Sequence, residues 1–458
     1  LGRVDHWNGL FLVSICLLWL ASLFLRFWRL TWLEPPVFDE VYFPTFAEDY
    51  LDGTAPFDVH PPLGKYFIAL GVLLEGRNAL GYRIASAIAG SLIPVALAGL
   101  AYRLTHRRRF AAIAGLLMLS DGLFLVQSRF GLLDVFLVLF GLLAQVFLLA
   151  GLEQQGWRRT LSLSCMGILL GASASVKWNG LGFTLAILLV AVWMWGLAAL
   201  RPQALAGSSR AGSSPGASSR LLAQLTLLKW WQYLWYFASI PLTVYLLQWV
   251  PHLLLDETVR NHGLAHFGAA LNEVHIDMLR NQTNANVGVG TAERVHPYCS
   301  GWLTWPLLGR PVAYFFHAQG DVWQDVHALG NPLLWWMATA ATLTMGLTAL
   351  RRDQTLPLYL TLGFAANYLP WAGVSRCLFL YHYMSALTFS ILSLAWMLDR
   401  LLQRSQRGWQ LLAIHAIGLV LAAFWFFLPI WLGLPLTAEQ FYRRIWFPPG
   451  RIPGFNWI

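Results

Sequence analysis

The chain has 458 residues, of which 57% are hydrophobic, 15% aromatic and only 12% charged. A soluble domain carries about 25% charge, so a water-soluble globule is excluded and an α-helical membrane protein is expected. The formal net charge of +9 is read as the Arg and Lys that cytoplasmic loops of membrane proteins collect, not as a nucleic-acid footprint. Four cysteines, Cys16, Cys165, Cys299 and Cys377, show no CxxC or metal spacing; the first two lie in apolar runs as packing residues. The first apolar run is long and lacks a small-residue cleavage site, so no cleavable signal peptide is expected. The chain opens on Leu1 and not Met, which fits a short leader ahead of it.

Runs near the roughly 20 apolar residues that cross a bilayer predict eleven spans, at about 9–27, 84–104, 110–127, 131–152, 160–176, 180–200, 228–250, 333–350, 356–371, 379–398 and 409–432. The 24 Trp suit a protein anchored at two interfaces. With the N-terminus inside, cytoplasmic loops hold Arg103, Arg107, Arg108 and Arg109, then Arg158 and Arg159, then Arg201, Arg210, Arg220 and Lys229. Arg351 and Arg352 follow, and last Arg400, Arg404 and Arg407. This is a positive-inside pattern through five consecutive loops, and it puts the C-terminus outside. Segment 201–220, rich in Gly, Ser, Pro and Ala, reads as a flexible cytoplasmic linker. The chain divides into an N-terminal transmembrane module (1–250) with an extracytoplasmic first loop at about 28–83, a second extracytoplasmic region (251–332), and C-terminal helices with an extracytoplasmic tail (333–458).

Chemistry-bearing residues collect on the extracytoplasmic side. The first loop carries Phe38-Asp39-Glu40-Val41-Tyr42-Phe43 and then Asp58-Val59-His60-Pro61-Pro62-Leu63-Gly64-Lys65. Adjacent carboxylates beside a span can divide two jobs, one as a base and the other steering an acceptor. The paired prolines forbid helix there and so hold His60 and Lys65 in place. Gln127-Ser128-Arg129-Phe130-Gly131-Leu132-Leu133-Asp134 forms the turn between spans three and four, and Ser175-Val176-Lys177-Trp178-Asn179-Gly180 the turn between spans five and six. The chain has 31 Lys and Arg but its only lysines are Lys65, Lys177 and Lys229. Two of them therefore sit in these clusters, where a compact point charge is wanted instead of a guanidinium fork. A fourth cluster runs Asn367-Tyr368-Leu369-Pro370-Trp371, then Arg376 and Tyr381-His382-Tyr383. Two carboxylates facing Arg129, Lys177 and Arg376 look like a base opposite an anion site, as transfer from a lipid phosphate needs. Asp121, inside span three, reads as a buried partner for Arg129 or as a group at the membrane–site boundary.

Taken together, FDEVYF, FDVHPPLGK, QSRFGLLD, SVKWNG, HPYCSGWLTWPLLGRP and NYLPWAGVSRCLFLYHY, spread over positions 38 to 383, resemble the protein O-mannosyltransferases in a form like those of bacteria. The resemblance implies an all-α polytopic membrane protein of the GT-C glycosyltransferase fold with about eleven transmembrane helices, in the bacterial cell membrane. It implies transfer of mannose from a polyprenyl-phosphate-mannose donor to Ser or Thr hydroxyls of acceptor proteins, with inversion at the anomeric carbon. The family's acidic motif falls on Asp39 and Glu40 as catalytic residues, with Asp39 as base. Its basic positions fall on Arg129, Lys177 and Arg376 around the donor phosphate, with Lys65 beside them. His60, Asp134, Tyr381 and His382 are expected in support. Protein cations can neutralise one phosphate, so neither a metal nor a cofactor is expected. His252, His262, His266, His275, His296, His317 and His327 have no HExxH or comparable spacing. Eukaryotic members carry a soluble β-trefoil module in the long loop, and 251–332 is too short to hold one. A relative that glycosylates a lipid is the alternative within the same fold. A lipid-linked sugar transporter is disfavoured, because the charges sit at one face with no half-to-half repeat.

Overall fold

Each of the eleven apolar segments coils into helix in the computed structural model, which describes residues 2–200, 217–283, 296–350, 354–452 and 454–458. The expected linker lies outside the described residues up to position 216, as do Arg351 and Arg352. Eight helices among the described residues are long and apolar enough to cross a membrane: Gly9–Phe27, Ala79–Thr105, Asp134–Glu153, Gly156–Val176, Trp178–Leu200, Trp230–Leu255, Leu380–Leu402 and Arg407–Leu432. The other three segments are shorter or broken. Thr355–Tyr368 has 14 residues, about 21 Å at 1.5 Å per residue, against a hydrocarbon core of about 30 Å. Of the Asp134–Glu153 span 78% is buried, against 11% of Gly9–Phe27, so the first is the hub of the bundle and the second lies on its rim.

Two irregularities have local causes. The predicted span 110–127 is two helices, Arg108–Leu119 and Gly122–Gln127. Asp121 breaks it by taking an extended backbone and accepting from the Phe124 N–H as N-cap. Its other oxygen accepts from the Trp335 indole at 2.6 Å and the Asn331 N–H at 3.3 Å. Asp121 is therefore not the partner of Arg129. Gly122 then passes so close to Trp431 that a Cβ would sit 1.9 Å from the ring, which admits only glycine. In Trp230–Leu255 a π turn over Leu234–Ser239 stands just ahead of Pro241, a widened turn where proline removes a ladder N–H.

Ion pairs sort the two ends of the bundle. Arg107 and Arg109 both reach Asp399 at 2.7 Å, and Arg103 pairs with Glu153 at 2.5 Å, so the basic turns share one end. The polar motifs meet at the other. There the first loop folds as a 3₁₀ turn, Phe38–Val41, and helices Phe43–Leu51 and Leu63–Glu75. The 251–332 region holds helices Glu257–His262 and Phe267–Thr283 and an antiparallel hairpin, β1 (Val312–Gln319) and β2 (Val322–Ala328). The hairpin corrects the all-α expectation in this one place. Its two-residue Gly320-Asp321 turn, with Gly320 at φ +56°, is what tight hairpins demand. Cys299 and Cys377 form a disulfide, Cα atoms 5.3 Å apart, tying this region to the segment before Tyr381.

Candidate active site

The site begins with a strained residue. Phe38 has φ +51°, a left-handed conformation rarely adopted by a bulky side chain and held only where surroundings enforce it. They do so through its ring, which stacks on Tyr314 (centroids 4.8 Å apart, 10° between planes) and meets Phe379 and Tyr381 edge-on at 5.6 and 6.0 Å. Tyr314 is the extra residue at a register break in the hairpin, a bulge of the kind that re-aims a side chain. Its hydroxyl accepts from Gln127 at 2.6 Å. The aromatic clamp fixes the backbone that carries both acidic residues.

From that turn the two carboxylates diverge. Glu40 is fully buried and takes two hydrogen bonds from Arg83, at 2.7 and 2.8 Å, and a third from the Gly131 N–H at 2.8 Å. It ties the first loop to span two and to the turn before Asp134, and its oxygens are spent on that task. This corrects its placement as a catalytic residue. Breaking such a buried pair costs about 3–5 kcal/mol. Glu40→Gln is therefore expected to lower the melting temperature strongly, while the fraction that remains folded keeps measurable turnover. A thermal melt run beside a turnover assay checks this, and a variant of wild-type stability with no turnover would return Glu40 to the chemistry.

Asp39 turns the other way and accepts from the Tyr381 hydroxyl at 3.0 Å. Burial pushes its pKa up to about 6, against the opposing pull of Lys177 and of the Tyr381 hydrogen bond. Lys177, freed from helix geometry at the end of Gly156–Val176, pairs with Asp134 at 2.8 Å and lies 5.4 Å from the Tyr381 ring centroid. Tyr381 thus stands between the carboxylate and the ammonium. Asp134 opens the preceding helix, Asp134–Glu153, and holds the Lys177 ammonium through this ion pair.

Beside this group is a cavity of about 560 Å³. Its lining includes the polar His60, Lys177, Arg376 and His382 and the apolar Leu181, Leu185, Ala366, Trp371 and Leu279. The cavity thus brings cationic side chains together with apolar residues Leu181 and Leu185 of the Trp178–Leu200 helix. Arg376 donates from Nε to Gln282 at 2.9 Å and from Nη1 to the Cys377 carbonyl at 3.1 Å. His382 is fixed by its Nδ1 contact of 2.9 Å with the Phe379 carbonyl and by Trp371, ring centroids 4.6 Å away. Burial, then the Lys177, Lys65 and Arg376 cations, pushes the His60 imidazole well below its usual range, so His60 is neutral at pH 7.

Two expected donor-site cations are engaged elsewhere. Arg129 is buried and donates to the carbonyls of Leu25, Arg26, Trp28 and Arg29 at 2.8 to 3.1 Å. Two of these are unpaired carbonyls of the last turn of the first helix and two belong to the turn just after it, so Arg129 caps that helix end and does not line the cavity. Lys65, also buried, pairs with Asp58 at 2.6 Å and donates to the His60 carbonyl at 2.8 Å. It holds the loop that presents His60 and does not line the cavity. The histidines of 251–332 disperse: His252 meets Tyr50, His275 meets Tyr245, and His327 pairs with Asp325. Among the described residues no three metal-ligating side chains gather. Tyr314 and Gln282 are site neighbours that the sequence motifs did not single out.

Comparison with known proteins bears on this arrangement. A family model described as dolichyl-phosphate-mannose-protein mannosyltransferase matches residues 16–79 and 72–255, and one for the C-terminal four-helix membrane region of protein-O-mannosyltransferase matches 267–449. The polyprenol-phosphate-mannose–protein mannosyltransferase of Mycolicibacterium smegmatis is 28% identical over 91% of this chain and 88% of its own. That of Corynebacterium glutamicum is 28% identical over 86% of this chain and 81% of its own. Among solved structures, the protein O-mannosyltransferase Pmt1-Pmt2 complex of S. cerevisiae, bound to the sugar donor, superposes with a TM-score of 0.80 over 97% of this chain and 92% of that chain, at 17% identity. With one family's models running from residue 16 to 449 over a bundle of the GT-C glycosyltransferase fold, this chain belongs to the protein O-mannosyltransferase family.

Proposed function

We propose that the protein transfers mannose from a polyprenyl-phosphate-mannose donor to Ser or Thr hydroxyls of proteins at the extracytoplasmic face of a bacterial cell membrane. The observation that carries this reading is Asp39 one tyrosine away from Lys177, which together with Arg376 lines a cavity that also has apolar lining residues. The donor phosphate sits between Lys177 and Arg376 beside His382, and the polyprenyl chain runs along Leu181 and Leu185. The acceptor hydroxyl approaches Asp39. Its oxygen attacks the anomeric carbon as the bond from that carbon to the phosphate oxygen breaks. The hydroxyl proton passes to Asp39, and the bonding pair leaves with the polyprenyl phosphate. One displacement inverts the anomeric centre.

A positioned base is typically worth about 10²–10⁴-fold, and fixed cations serve best where charge grows, on the leaving phosphate. Lys177 and Arg376 supply that charge, so the reading needs no metal. The N-terminus lies inside, so that the basic turns at 103–109 and 399–407 face the cytoplasm. Purified protein in detergent, given radiolabelled polyprenyl-phosphate-mannose and a Ser/Thr peptide library, tests the proposal. Label in peptide supports it. Label appearing only in lipid would make the chain a glycolipid transferase, and no transfer with wild-type protein would sink the reading.

A further inference from the structure

Helix Phe267–Thr283 stands apart from the main bundle. Its buried residues Ala270 and Met278 pack on Trp249 and Leu253 in a second, smaller core, and His275 bonds Tyr245 at 2.8 Å. Only its last turn reaches the cavity, where Leu279, Gln282 and Thr283 form part of the lining. There one side chain joins three separate pieces of chain. The Gln282 amide donates from Nε2 to the Val59 carbonyl at 3.0 Å and accepts through Oε1 from Arg376 Nε at 2.9 Å. Val59 precedes His60, a cavity-lining residue, and Arg376 adjoins the disulfide-bonded Cys377.

A primary amide is suited to this position because it presents a donor and an acceptor side by side without charge. A carboxylate would hold Arg376 more strongly but would cancel the charge that an anion needs and would repel the Val59 carbonyl. With Nε on Gln282 and Nη1 on the Cys377 carbonyl, the guanidinium plane is set and Nη2 is the edge left without a protein acceptor among the described residues. We infer that Gln282 is a positioning residue that aims Arg376 at the lipid phosphate and ties the last turn of helix Phe267–Thr283 to the cavity lining. This rests on the donor reading given above and goes beyond it in assigning part of the donor affinity to a residue outside the acidic and basic motifs.

The test is a set of variants read on donor and peptide separately. Hydrogen bonds to a charged group that aim it correctly are worth about tenfold in affinity. Gln282→Ala should therefore raise the KM for polyprenyl-phosphate-mannose by about tenfold while the KM for peptide stays within twofold. Gln282→Glu should be worse than Gln282→Ala for the donor, because it neutralises Arg376. A role confined to holding the helix in place predicts the reverse order, since glutamate keeps the link to arginine. In an Arg376→Ala background Gln282→Ala should add less than twofold, because the amide acts through the arginine. Donor KM within twofold of wild type in both single variants, or donor and peptide KM rising together, overturns the proposal. Binding of mannose-free polyprenyl phosphate, followed by thermal shift on the same proteins, separates this outcome from failure of the transferase reading. If wild type binds that lipid and the variants rank as stated while no peptide is labelled, the positioning role stands and the assigned reaction falls.

Discussion

Asp39→Asn abolishes peptide mannosylation, by at least the roughly 10²–10⁴-fold that a positioned base contributes, and leaves polyprenyl-phosphate binding largely intact. The amide keeps the shape of the side chain and can still accept from the Tyr381 hydroxyl, whose partner Asp39 is at 3.0 Å, so the aromatic clamp on Phe38 is undisturbed. What is lost is a group able to take the acceptor's proton. The raised pKa gives the experiment a second reading. Burial holds the Asp39 pKa at about 6, and the base works in its ionised form. The kcat/KM for peptide should therefore be level above that value and fall about tenfold per unit as pH drops below it, since this ratio reports the free enzyme's groups. An unperturbed aspartate, near 3.9, would show no fall until much lower pH. Asp39→Asn at saturating donor and peptide with turnover comparable to wild type would move the base elsewhere. So would a wild-type profile flat to pH 4.

The same pair of residues marks how far sequence alone could go. Adjacent carboxylates at Asp39-Glu40 stood out in the sequence, and Lys177 and Arg376 stood out as cations at span boundaries, because charged side chains beside apolar spans are costly and few. Which carboxylate faces the site depends on Phe38, whose positive φ has no signature in the residue type. Arg129 and Lys65 were drawn toward the phosphate by their sign, yet a cation can equally be satisfied by carbonyls or by a nearby acid. Arg129 found the frayed end of the first helix, 100 to 104 residues away in sequence, and Lys65 found Asp58 on its own loop. The Cys299–Cys377 bridge spans 78 residues, and spacing of that kind predicts no partner. The hairpin did leave a signal, Gly320-Asp321 between β-branched and aromatic residues, that a reading tuned to apolar helices passed over. Eleven helical segments were recovered because length and hydropathy are what the bilayer itself selects.

Arg376→Ala should lower kcat by about 10²–10³-fold, the scale of losing a single donor to a developing oxyanion, with little change in melting temperature. The structural argument lies in what Arg376 does not do. Among the described residues it makes no ion pair with a carboxylate, and its hydrogen bonds there go to the Gln282 amide and the Cys377 carbonyl. Its removal therefore strands no buried acid, whereas loss of Lys177 leaves Asp134 buried without its partner at 2.8 Å. An arginine with one edge held by neutral acceptors and the other on the cavity is arranged to meet a phosphate. The phosphodiester of the donor carries one charge and the departing phosphate monoester gains a second, so Arg376 meets charge already when the donor binds and more as the phosphate leaves, and its loss should raise the donor KM as well as lower kcat. Arg376→Lys keeps the charge but cannot hold the Gln282 and Cys377 contacts together, and should fall between wild type and alanine. Unaltered turnover in Arg376→Ala, or a loss explained entirely by a lower melting temperature, would remove Arg376 from the phosphate site and leave Lys177 as its sole cation.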